Sequence, residues 1–498
     1  MSRAGFVARL GFELDPFQSE ALDALDEGRS VLVAAPTGSG KTVVAEYAVD
    51  RALAEGGKAF YTTPLKALSN QKFGDLTARY GPDQVGLLTG DNVVNGDAPV
   101  VVMTTEVLRN MIYSRSPALG GLRYVVLDEV HYLQNAYRGP VWEEVIIHTP
   151  PEVVLVCLSA TVSNAEAFAG WIRTVRGSAA AIIEDRRPVQ LHNLYLVGDR
   201  HSERLWLLPT LVDGRPNPEA LAIDSRSARD ARGARGPRRG RLYAPRRTEV
   251  VDRLAAEAML PAIYFIFSRA GCDGAVAQCL RDGVRMTTVD ERARAREIAE
   301  AAVEALSDDD LTALGYGAWL TALMAGVAAH HAGMVPPFKE AVEACFAEAV
   351  VKVVFATETL ALGINMPARS VVIERLTKFT GEGHEFLTPG EYTQLTGRAG
   401  RRGIDEAGYG VVLWSPFVPF DQVASLASRR ADPLTSSFRP TYNMAANLIR
   451  RCSAPEAHHL LNLSFAQFQA DSEVVRLETT LDRRRQDADE QRRSATCS

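Results

Sequence analysis

The chain has 498 residues, a length that predicts about three domains. It carries 55 lysines and arginines against 61 aspartates and glutamates, and the net charge of −6 excludes a strongly basic protein that coats nucleic acid. Hydrophobic residues make up 46% and charged residues 23%, values that are ordinary for packed domains and argue against a mostly disordered chain. The charge is unevenly distributed, because residues 225–247 hold nine arginines and one aspartate, a local charge of +8.

Cysteine usage and the N-terminus predict a cytoplasmic protein. The six cysteines form no C-x-x-C pair and are mostly flanked by apolar residues, as reduced thiols in an intracellular protein usually are. The first fifteen residues contain no apolar segment of the secretory type. Residues 311–338 carry no Asp, Glu, Lys or Arg and could span a bilayer, but their glycines and prolines favour a buried helix followed by a buried strand. No membrane association is expected.

Short apolar runs alternate with helix-period stretches in the first part of the chain. Two such helical stretches are 42–55 and 64–80. The runs predict strands at 30–36, 58–64, 98–105, 123–129 and 153–161. Apolar strands that alternate with helices are typical of a parallel sheet covered on both faces.

A second series of apolar runs follows the first. It predicts strands at 262–269, 284–290, 351–358, 370–376 and 408–414. The sequence therefore predicts an α/β fold with two tandem domains and parallel sheets, and it places the boundary near 185–188. The arginine-rich segment 225–247 lacks periodicity and is interpreted as a mobile surface loop inside the second domain. From about 420 onward helical periods replace the strands.

The segment APTGSGKT at 35–42 follows a predicted strand and opens a predicted helix, which is the context of a phosphate-binding loop. Its glycines allow backbone N–H groups to turn inward, and the helix N-terminus adds positive potential. Lys41 is predicted to reach the β- and γ-phosphates of ATP, and Thr42 to bind Mg²⁺. The remaining loop residues assigned to the nucleotide are Pro36, Thr37, Gly38, Ser39 and Gly40.

Two adjacent carboxylates, Asp128 and Glu129, end a predicted buried strand in LDEVH at 127–131. Ligands of α/β sheets bind at the carboxyl ends of strands. Asp128 is therefore predicted to bind Mg²⁺, directly or through water, and Glu129 to orient and deprotonate the attacking water. A solvated strand end is the alternative interpretation of the pair taken alone.

Three further segments carry weaker signals. In TGRAGRRG at 396–403, Arg398 and Arg401 fit an arginine finger as well as a solvated turn. Ser159 and Thr161 of LSAT could sense loss of the γ-phosphate or cap the next helix. Separately, Phe12 and Gln18 could contact adenine, or serve as a core aromatic residue and a surface glutamine, respectively.

Together, these segments resemble the motif set of the superfamily 2 DExH-box helicases. Within that superfamily they resemble the superkiller/exosome-associated RNA helicases, with the actinobacterial HelY type nearest. The resemblance covers roughly residues 10–470. The collinear segments are FELDPFQ (12–18), APTGSGKT (35–42), TTPLKALSNQK (62–72), LLTGD (87–91), MTTEVLRNM (103–111), LDEVHYL (127–133), LSAT (158–161), YFIFSR (264–269), AAHHAGM (328–334), FATETLALGINMPA (355–368) and QLTGRAGRRG (394–403).

The resemblance implies further roles, position by position. It implies two RecA-like domains, ATP and Mg²⁺ as cofactors, and movement along RNA from 3′ to 5′. Phe12 and Gln18 match adenine-recognition positions, and Gln394, Arg398 and Arg401 match positions that face ATP. The positions that match contacts to single-stranded nucleic acid are Pro64, Lys66, Thr104, Arg269 and Thr357. Gly363 and Asn365 match the segment that links those contacts to ATP.

The resemblance also implies a domain plan. It assigns 1–187 and 188–418 to the two RecA-like domains, 419–471 to the start of a winged-helix region, and 472–498 to a truncated stalk-like helix. The family usually continues with an arch insertion and a helical ratchet bundle, so the sequence is expected to be a core fragment or an incomplete paralogue.

Substrate and partners stay open at this point. The predicted substrate is single-stranded or 3′-overhang RNA. The alternatives are a DNA helicase of the repair type and a nucleotide-gated module that clamps RNA without unwinding it. No protein partner can be named, and the basic segment 225–247 is a candidate for additional phosphate contacts.

Overall fold

The computed structural model describes residues 3–233, 241–361, 366–379, 383–429, 433–451 and 453–472. The chain divides into two compact units. The first contains residues up to 35, residues 41–185 and the described residues from 433 onward, and the second contains 36–40 and 186–432. The short segment Pro36–Gly40 is thus grouped with the second unit although it lies between two elements of the first along the chain.

The first unit is an α/β structure. Its strands are β1 (Ser30–Ala34), β2 (Lys58–Thr63), β3 (Val85–Leu88), β4 (Val93–Val94), β5 (Val100–Thr104), β6 (Leu122–Leu127), β7 (Val154–Ser159) and β8 (Ala179–Ile183). Its helices are α1 (Arg3–Ala8), α2 (Pro16–Asp26), α3 (Thr42–Ala54), α4 (Lys66–Tyr80), α5 (Thr105–Ser114), α6 (Pro140–His148) and α7 (Ala165–Arg176). Short 3₁₀ helices span Pro117–Leu119 and Val130–Gln134.

These strands form one sheet in the order β4-β3-β5-β2-β6-β7-β1-β8. All neighbours are parallel except β3 and β4, which are antiparallel. Apolar clusters cover both faces, because residues of the same strand alternate between them, as Val33 and Leu32 of β1 do. The strands are therefore apolar along their whole length, which is why they were visible in the sequence as continuous runs.

The second unit repeats this architecture with a different order. Its strands are β9 (Gln190–Asp199), β10 (Arg204–Pro209), β11 (Leu211–Val212), β12 (Arg215–Pro216), β13 (Leu242–Tyr243), β14 (Ala262–Phe265), β15 (Val327–His330), β16 (Val353–Ala356), β17 (Ser370–Ile373), β18 (Thr377–Phe379), β19 (His384–Phe386) and β20 (Ala407–Leu413). Its helices are α8 (Pro218–Gly233), α9 (Arg247–Ala256), α10 (Arg269–Arg281), α11 (Val289–Ala302), α12 (Asp308–Ala313), α13 (Tyr316–Ala325), α14 (Pro336–Ala347), α15 (Pro389–Thr396) and α16 (Phe420–Ser428), with a 3₁₀ turn at Glu358–Ala361.

The main sheet of this unit runs in the order β10-β9-β20-β17-β14-β16-β15, with β13 paired to β9. In the row β9-β20-β17-β14-β16-β15, each strand is parallel to its neighbours. In this sheet β10 and β13 pair with β9 in the antiparallel direction. Two apolar clusters cover its faces. The prediction of an α/β fold with mostly parallel sheets is confirmed for both units.

The predicted strand at 284–290 is wrong. Residues 284–288 have no regular structure, and α11 begins at Val289. Thr288 caps this helix: its hydroxyl accepts from the backbone N–H of Glu291, whose carboxylate accepts in return from Thr288 N. This capping box provides acceptors for the backbone N–H groups of Thr288 and Glu291, which in a strand would donate to a neighbouring strand.

The interpretation of 225–247 as a loop is also wrong over part of its length. Helix α8 continues to Gly233, and after the undescribed residues 234–240 the chain forms β13 and enters α9 at Arg247. Alanine and arginine are strong helix formers, and their propensity outweighs the lack of an apolar period.

The uncharged run 311–338 forms α13 followed by β15, as its composition predicted. Trp319 of α13 stacks on Phe338, with ring centroids 4.1 Å apart. In the part of the chain that the structure describes, no helix is both long and apolar enough to cross a membrane.

The chain returns to the first unit after residue 432 and docks on it through a buried carboxylate. Glu143 of α6 is fully buried, and its carboxylate accepts from the Ser436 hydroxyl and from Phe465 N at 2.7 Å. Asn164 pairs with both backbone groups of Leu434, at 2.9 and 2.6 Å. The segment also contains α17 (Tyr442–Arg451) and α18 (Ala454–Asn462). The side chain of Phe465, in the same segment, is part of the apolar core of the first unit.

Candidate active site

The loop between β1 and α3 has the backbone of a phosphate-binding loop. Gly38 and Gly40 adopt φ values of +81° and +85°. L-residues rarely adopt this left-handed region, so glycine is required for the turn. Beyond the loop, Lys41 precedes the first residue of α3, whose free N–H groups favour an anion.

A buried hydroxyl of this loop fits a ligand. The Oγ atom of Ser39 has no hydrogen-bond partner among the described residues, although its side chain is buried. Buried hydroxyl groups normally find partners in proteins. The loop and this hydroxyl therefore fit a phosphate group. In the first unit, the Oγ atom of Ser159 at the end of β7 is also buried and has no partner among the described residues.

The two predicted catalytic carboxylates lie at the carboxyl end of β6. Asp128 is 5% exposed, and its Oδ2 accepts from the Tyr61 hydroxyl at 2.8 Å. Its Oδ1 accepts from the backbone N–H of Glu129 at 2.9 Å. Glu129 has φ +52° and ψ +46°, a left-handed conformation that is uncommon outside glycine. The turn therefore holds Asp128 from two sides, and the strained residue beside it is a candidate for function.

The electrostatics of this turn favour a bound cation. Burial, and then the neighbouring Glu129, raise the pKa of Asp128, while Lys72, Lys41 and the Tyr61 hydroxyl oppose the rise. Bringing a cation to the carboxyl favours its charged form, and oxygen ligands are those that Mg²⁺ prefers. Asp128 and the hydroxyl of Thr42 at the start of α3 are the oxygen groups that would hold a magnesium ion here.

His131 joins the acidic turn to the end of β7, a role that the sequence interpretation missed. Its Nδ1 accepts from the backbone N–H of Ala160 and lies 3.4 Å from Glu129 Oε2. Burial lowers the pKa of His131, although Glu129 opposes this, so the ring is neutral at neutral pH. Ala160 stands between Ser159 and Thr161, the two residues predicted to couple ATP to motion. The last letter of the DEVH motif was the available signal.

Of the two predicted adenine contacts, one is exposed and the other is buried. Phe12 is 50% exposed, so part of its ring is accessible to a ligand. Gln18 is fully buried, and its Oε1 accepts from Asp15 N at 2.9 Å at the start of α2. The side-chain oxygen of Gln18 is thus engaged in capping the helix. Both roles toward adenine stay predictions.

The arginine motif of the second unit follows α15, on whose last turn Gln394 is half-buried. Arg398 is 8% exposed and donates from Nη2 to the carbonyl oxygen of Ala361 at 2.6 Å. Arg401 forms a two-point ion pair with Asp405, at 2.8 and 2.9 Å. Both predicted finger residues are therefore held by protein groups, and their role toward ATP stays a prediction.

Arg402, which the sequence interpretation left out, reaches the phosphate-binding loop. Within the compact unit that includes Pro36–Gly40, its Nη1 donates to the carbonyl oxygen of Ser39 at 2.8 Å. The third arginine of GRAGRRG was visible in the sequence, but a single sequence does not show which of the three arginine side chains contacts the loop.

The predicted nucleic-acid contacts of the first unit lie at strand ends. Pro64 and Thr104 are buried just after β2 and at the end of β5, which pair in register at Thr63 and Thr104. Lys66 is exposed, with its Nζ 3.0 Å from Asp91. The carboxyl ends of parallel strands lie at the same edge of a sheet, so these residues lie on the same side of the first unit.

The second unit repeats this placement. Thr357 follows β16 and shares a hydrogen bond with Thr359 at 2.9 Å, and Arg269 is exposed at the start of α10, just after β14. Because β14 and β16 are parallel neighbours, these two residues also belong to one sheet edge. Gly363 and Asn365 lie outside the described residues.

Two family models match parts of this chain. A family model described as DEAD/DEAH box helicase matches residues 15–168, and one described as helicase conserved C-terminal domain matches residues 312–403. The chain is 58% identical over 487 residues to the "Probable helicase HelY" of Mycobacterium tuberculosis, covering 96% of this chain and 54% of that protein.

More distant relatives are named as RNA helicases. The human "Exosome RNA helicase MTR4" is 38% identical over 470 residues, which cover 92% of this chain and 44% of the relative. The Arabidopsis thaliana "DExH-box ATP-dependent RNA helicase DExH15 chloroplastic" is 40% identical over 504 residues, with 90% and 42% covered. The chain spans about half the length of the curated relatives it matches.

Proposed function

We propose that this chain, which belongs to superfamily 2 of the helicases, hydrolyses ATP and uses the reaction to move along single-stranded nucleic acid. One observation carries the proposal. Asp128 and Glu129 lie together at the end of β6, with Asp128 fixed by Tyr61 and under the positive potential of Lys41. A buried aspartate followed by a half-buried glutamate, near a phosphate-loop lysine, is the arrangement that phosphoryl transfer from ATP requires.

Each residue of the proposed site has a separate role in ATP hydrolysis. Lys41 and the backbone N–H groups of the glycine loop hold the phosphates, and Thr42 and Asp128 hold the magnesium ion. When bound, the metal neutralises charge on the phosphates. Glu129 orients the attacking water and takes its proton. Arg398, Arg401 and Gln394 face the nucleotide, and Phe12 and Gln18 contact its base.

The same domains hold the nucleic acid through its backbone. Pro64, Lys66 and Thr104 in the first unit, and Arg269 and Thr357 in the second, are the proposed contacts. Ser159 and Thr161 transmit the state of the phosphates. Contacts of this kind give binding that tolerates any sequence and weakens with salt.

RNA is the proposed substrate, and the proposed direction is 3′ to 5′. The first choice is supported by the relatives named as RNA helicases, such as the human protein at 38% identity, and the second by the motif set alone. The cytoplasm is the proposed location, since Cys157, Cys272, Cys279 and Cys345 are buried free thiols of the kind found in reducing compartments.

The test is ATP hydrolysis without nucleic acid, with poly-uridine RNA, and with single-stranded DNA of equal length. We expect RNA to stimulate hydrolysis more than DNA, and Glu129→Gln to lower turnover on the order of 10²–10⁴-fold. Glu55→Gln is the control, because Glu55 makes an ion pair with Arg51 at the end of α3, away from the acidic turn.

Three outcomes separate the alternatives. Unchanged turnover in Glu129→Gln contradicts the catalytic assignment. Faster unwinding of a 3′-overhang DNA duplex than of the matched RNA duplex favours a DNA helicase. Stimulated hydrolysis without strand separation favours a nucleotide-gated clamp.

A further inference from the structure

Lys378 lies in the second unit between two acidic residues that belong to different segments of the chain. It is one of only seven lysines in the chain, and its side chain on β18 is 18% exposed. Its Nζ lies 2.9 Å from Glu358 Oε2 and 2.5 Å from Glu391 Oε1. One ammonium group therefore bridges two carboxylates that come from segments more than thirty residues apart.

The first carboxylate belongs to the segment proposed to hold nucleic acid. Glu358 opens the 3₁₀ turn Glu358–Ala361 and directly follows Thr357. The carbonyl oxygen of Ala361, at the end of the same turn, accepts from Arg398. A displacement of this turn would therefore change both a nucleic-acid contact and an arginine that faces ATP.

The second carboxylate fixes the helix that carries Gln394. Glu391 lies in the first turn of α15, where its Oε2 accepts from the backbone N–H of Thr388 at 2.8 Å. Its other oxygen is the one that Lys378 contacts. Gln394 follows Glu391 by three residues and so lies on the same side of the helix. Lys378 thus contacts the base of the helix that leads into the arginine motif.

We infer that Lys378 is a positioning residue that holds the turn after Thr357 and helix α15 in one fixed arrangement, so that nucleic acid bound at the turn affects ATP hydrolysis. The inference rests on the proposed function. Both carboxylate oxygens lie within hydrogen-bond distance of one nitrogen, so they are close neighbours. Without the cation the two glutamates repel each other, and the hydrogen bond from Arg398 to Ala361 is left to hold the turn near the end of α15.

Lys352 provides a matched control. Its side chain is 20% exposed, and its Nζ contacts Glu291 Oε1 and the carbonyl oxygen of Ala349, both at 2.6 Å. It belongs to the same unit as Lys378 but pairs with α11, which carries none of the proposed site residues. Lys352→Ala therefore removes a lysine of equal exposure without touching either motif.

The first measurement is the concentration of poly-uridine RNA that gives half-maximal stimulation of ATP hydrolysis. We expect this concentration to rise about tenfold in Lys378→Ala, a typical coupling between two sites, and to return toward the wild-type value in Lys378→Arg. Lys352→Ala should behave as wild type. Equal effects in the two alanine variants, or no recovery in Lys378→Arg, would overturn the inference.

The second measurement is amide hydrogen exchange of the nucleotide-free protein, followed in peptides that cover 354–361 and 388–396. Both segments should exchange faster in Lys378→Ala than in the wild type. In Lys352→Ala neither segment should change its exchange rate. Faster exchange in only one segment, or across the whole second unit, would contradict a specific link. This measurement needs no activity: if RNA fails to stimulate the wild-type ATPase, the proposed function fails, and exchange alone decides the role of Lys378.

Discussion

The acidic turn of the first unit and the arginine motif of the second differ in how their side chains are held. Asp128 is fixed by Tyr61 and by the backbone of Glu129, which leaves the turn ready for a cation. Arg401, in contrast, is bound at two points by Asp405. The acidic turn is preorganised, whereas Arg401, in its proposed role, would have to exchange Asp405 for a phosphate. Replacing Arg401 in the second unit and Tyr61 in the first tests this difference.

The largest effect is expected from Arg401→Ala. An arginine that stabilises transferred phosphate charge contributes roughly 10³-fold or more to kcat, so its loss should lower RNA-stimulated turnover by about that factor. Arg402→Ala is the comparison, because Arg402 contacts the carbonyl of Ser39. Turnover measured in both variants decides which arginine acts, and a larger loss in Arg402→Ala would reverse the present assignment.

Next in size is the dependence of stability on pH through Glu143. Burial raises the pKa of this carboxyl from 4.5 to about 7, against hydrogen bonds from Ser436 and from the backbone of Phe465 that lower it. Its stabilising contribution is therefore complete below pH 4.5 and is lost as pH rises through 7, a change of about 3 kcal/mol at most. Glu143→Gln should flatten this part of the profile of urea midpoint against pH.

His148 acts in the opposite direction in the same unit. Burial lowers its pKa from 6.5 to about 4, so its contribution is present above pH 6.5 and is lost as pH falls through 4. The wild-type profile combines both groups, and for this reason Glu143→Gln should be compared with a His148→Gln variant. A wild-type slope retained in Glu143→Gln would contradict the assignment to Glu143.

A smaller effect is expected from Tyr61→Phe, which removes one of the two hydrogen bonds to Asp128. Partners of metal ligands typically contribute about tenfold or more to metal affinity. We expect the Mg²⁺ concentration for half-maximal ATP hydrolysis to rise by about that factor, and Mg²⁺–ADP binding measured by calorimetry to weaken in parallel. Tyr80→Phe is the control, since the Tyr80 hydroxyl contacts only the backbone oxygen of Glu46 among the described residues.

The smallest effect is expected from Lys66→Ala. Lys66 is exposed and shares an ion pair with Asp91, so its loss should leave the unfolding midpoint unchanged. As one phosphate contact, it should lower the slope of log affinity for RNA against log salt by about one. An unchanged slope would remove Lys66 from the proposed nucleic-acid contacts.

The predictions of secondary structure from sequence succeeded where the physics is local. The strand predicted at 30–36 and the helix predicted at 42–55 correspond to β1 and α3, because the glycine turn and both elements are adjacent in the chain. The strand at 284–290 was predicted wrongly because the apolar pattern was followed and the capping pair Thr288 and Glu291 was overlooked.

Contacts between distant residues could not be predicted in this way. The Tyr61 hydroxyl meets Asp128 across two parallel strands, and Glu143 meets Ser436 across 293 positions of chain. Lys378 was not singled out in the sequence, and its contacts with Glu358 and Glu391 became visible only in the folded structure. A single sequence reports the type of a buried group but not its partner.

The return of the chain to its first unit at residue 433 has a consequence for biosynthesis. Phe465 packs against Phe168 and Trp171, so the first unit lacks part of its core until the ribosome has made the whole second unit. At translation rates of roughly 5–20 residues per second, this interval lasts on the order of tens of seconds. During it the apolar surface around Trp171 and the carboxylate of Glu143 lack the partners that Phe465 supplies in the folded protein, so the first unit exposes part of its core to water until the second unit has been made.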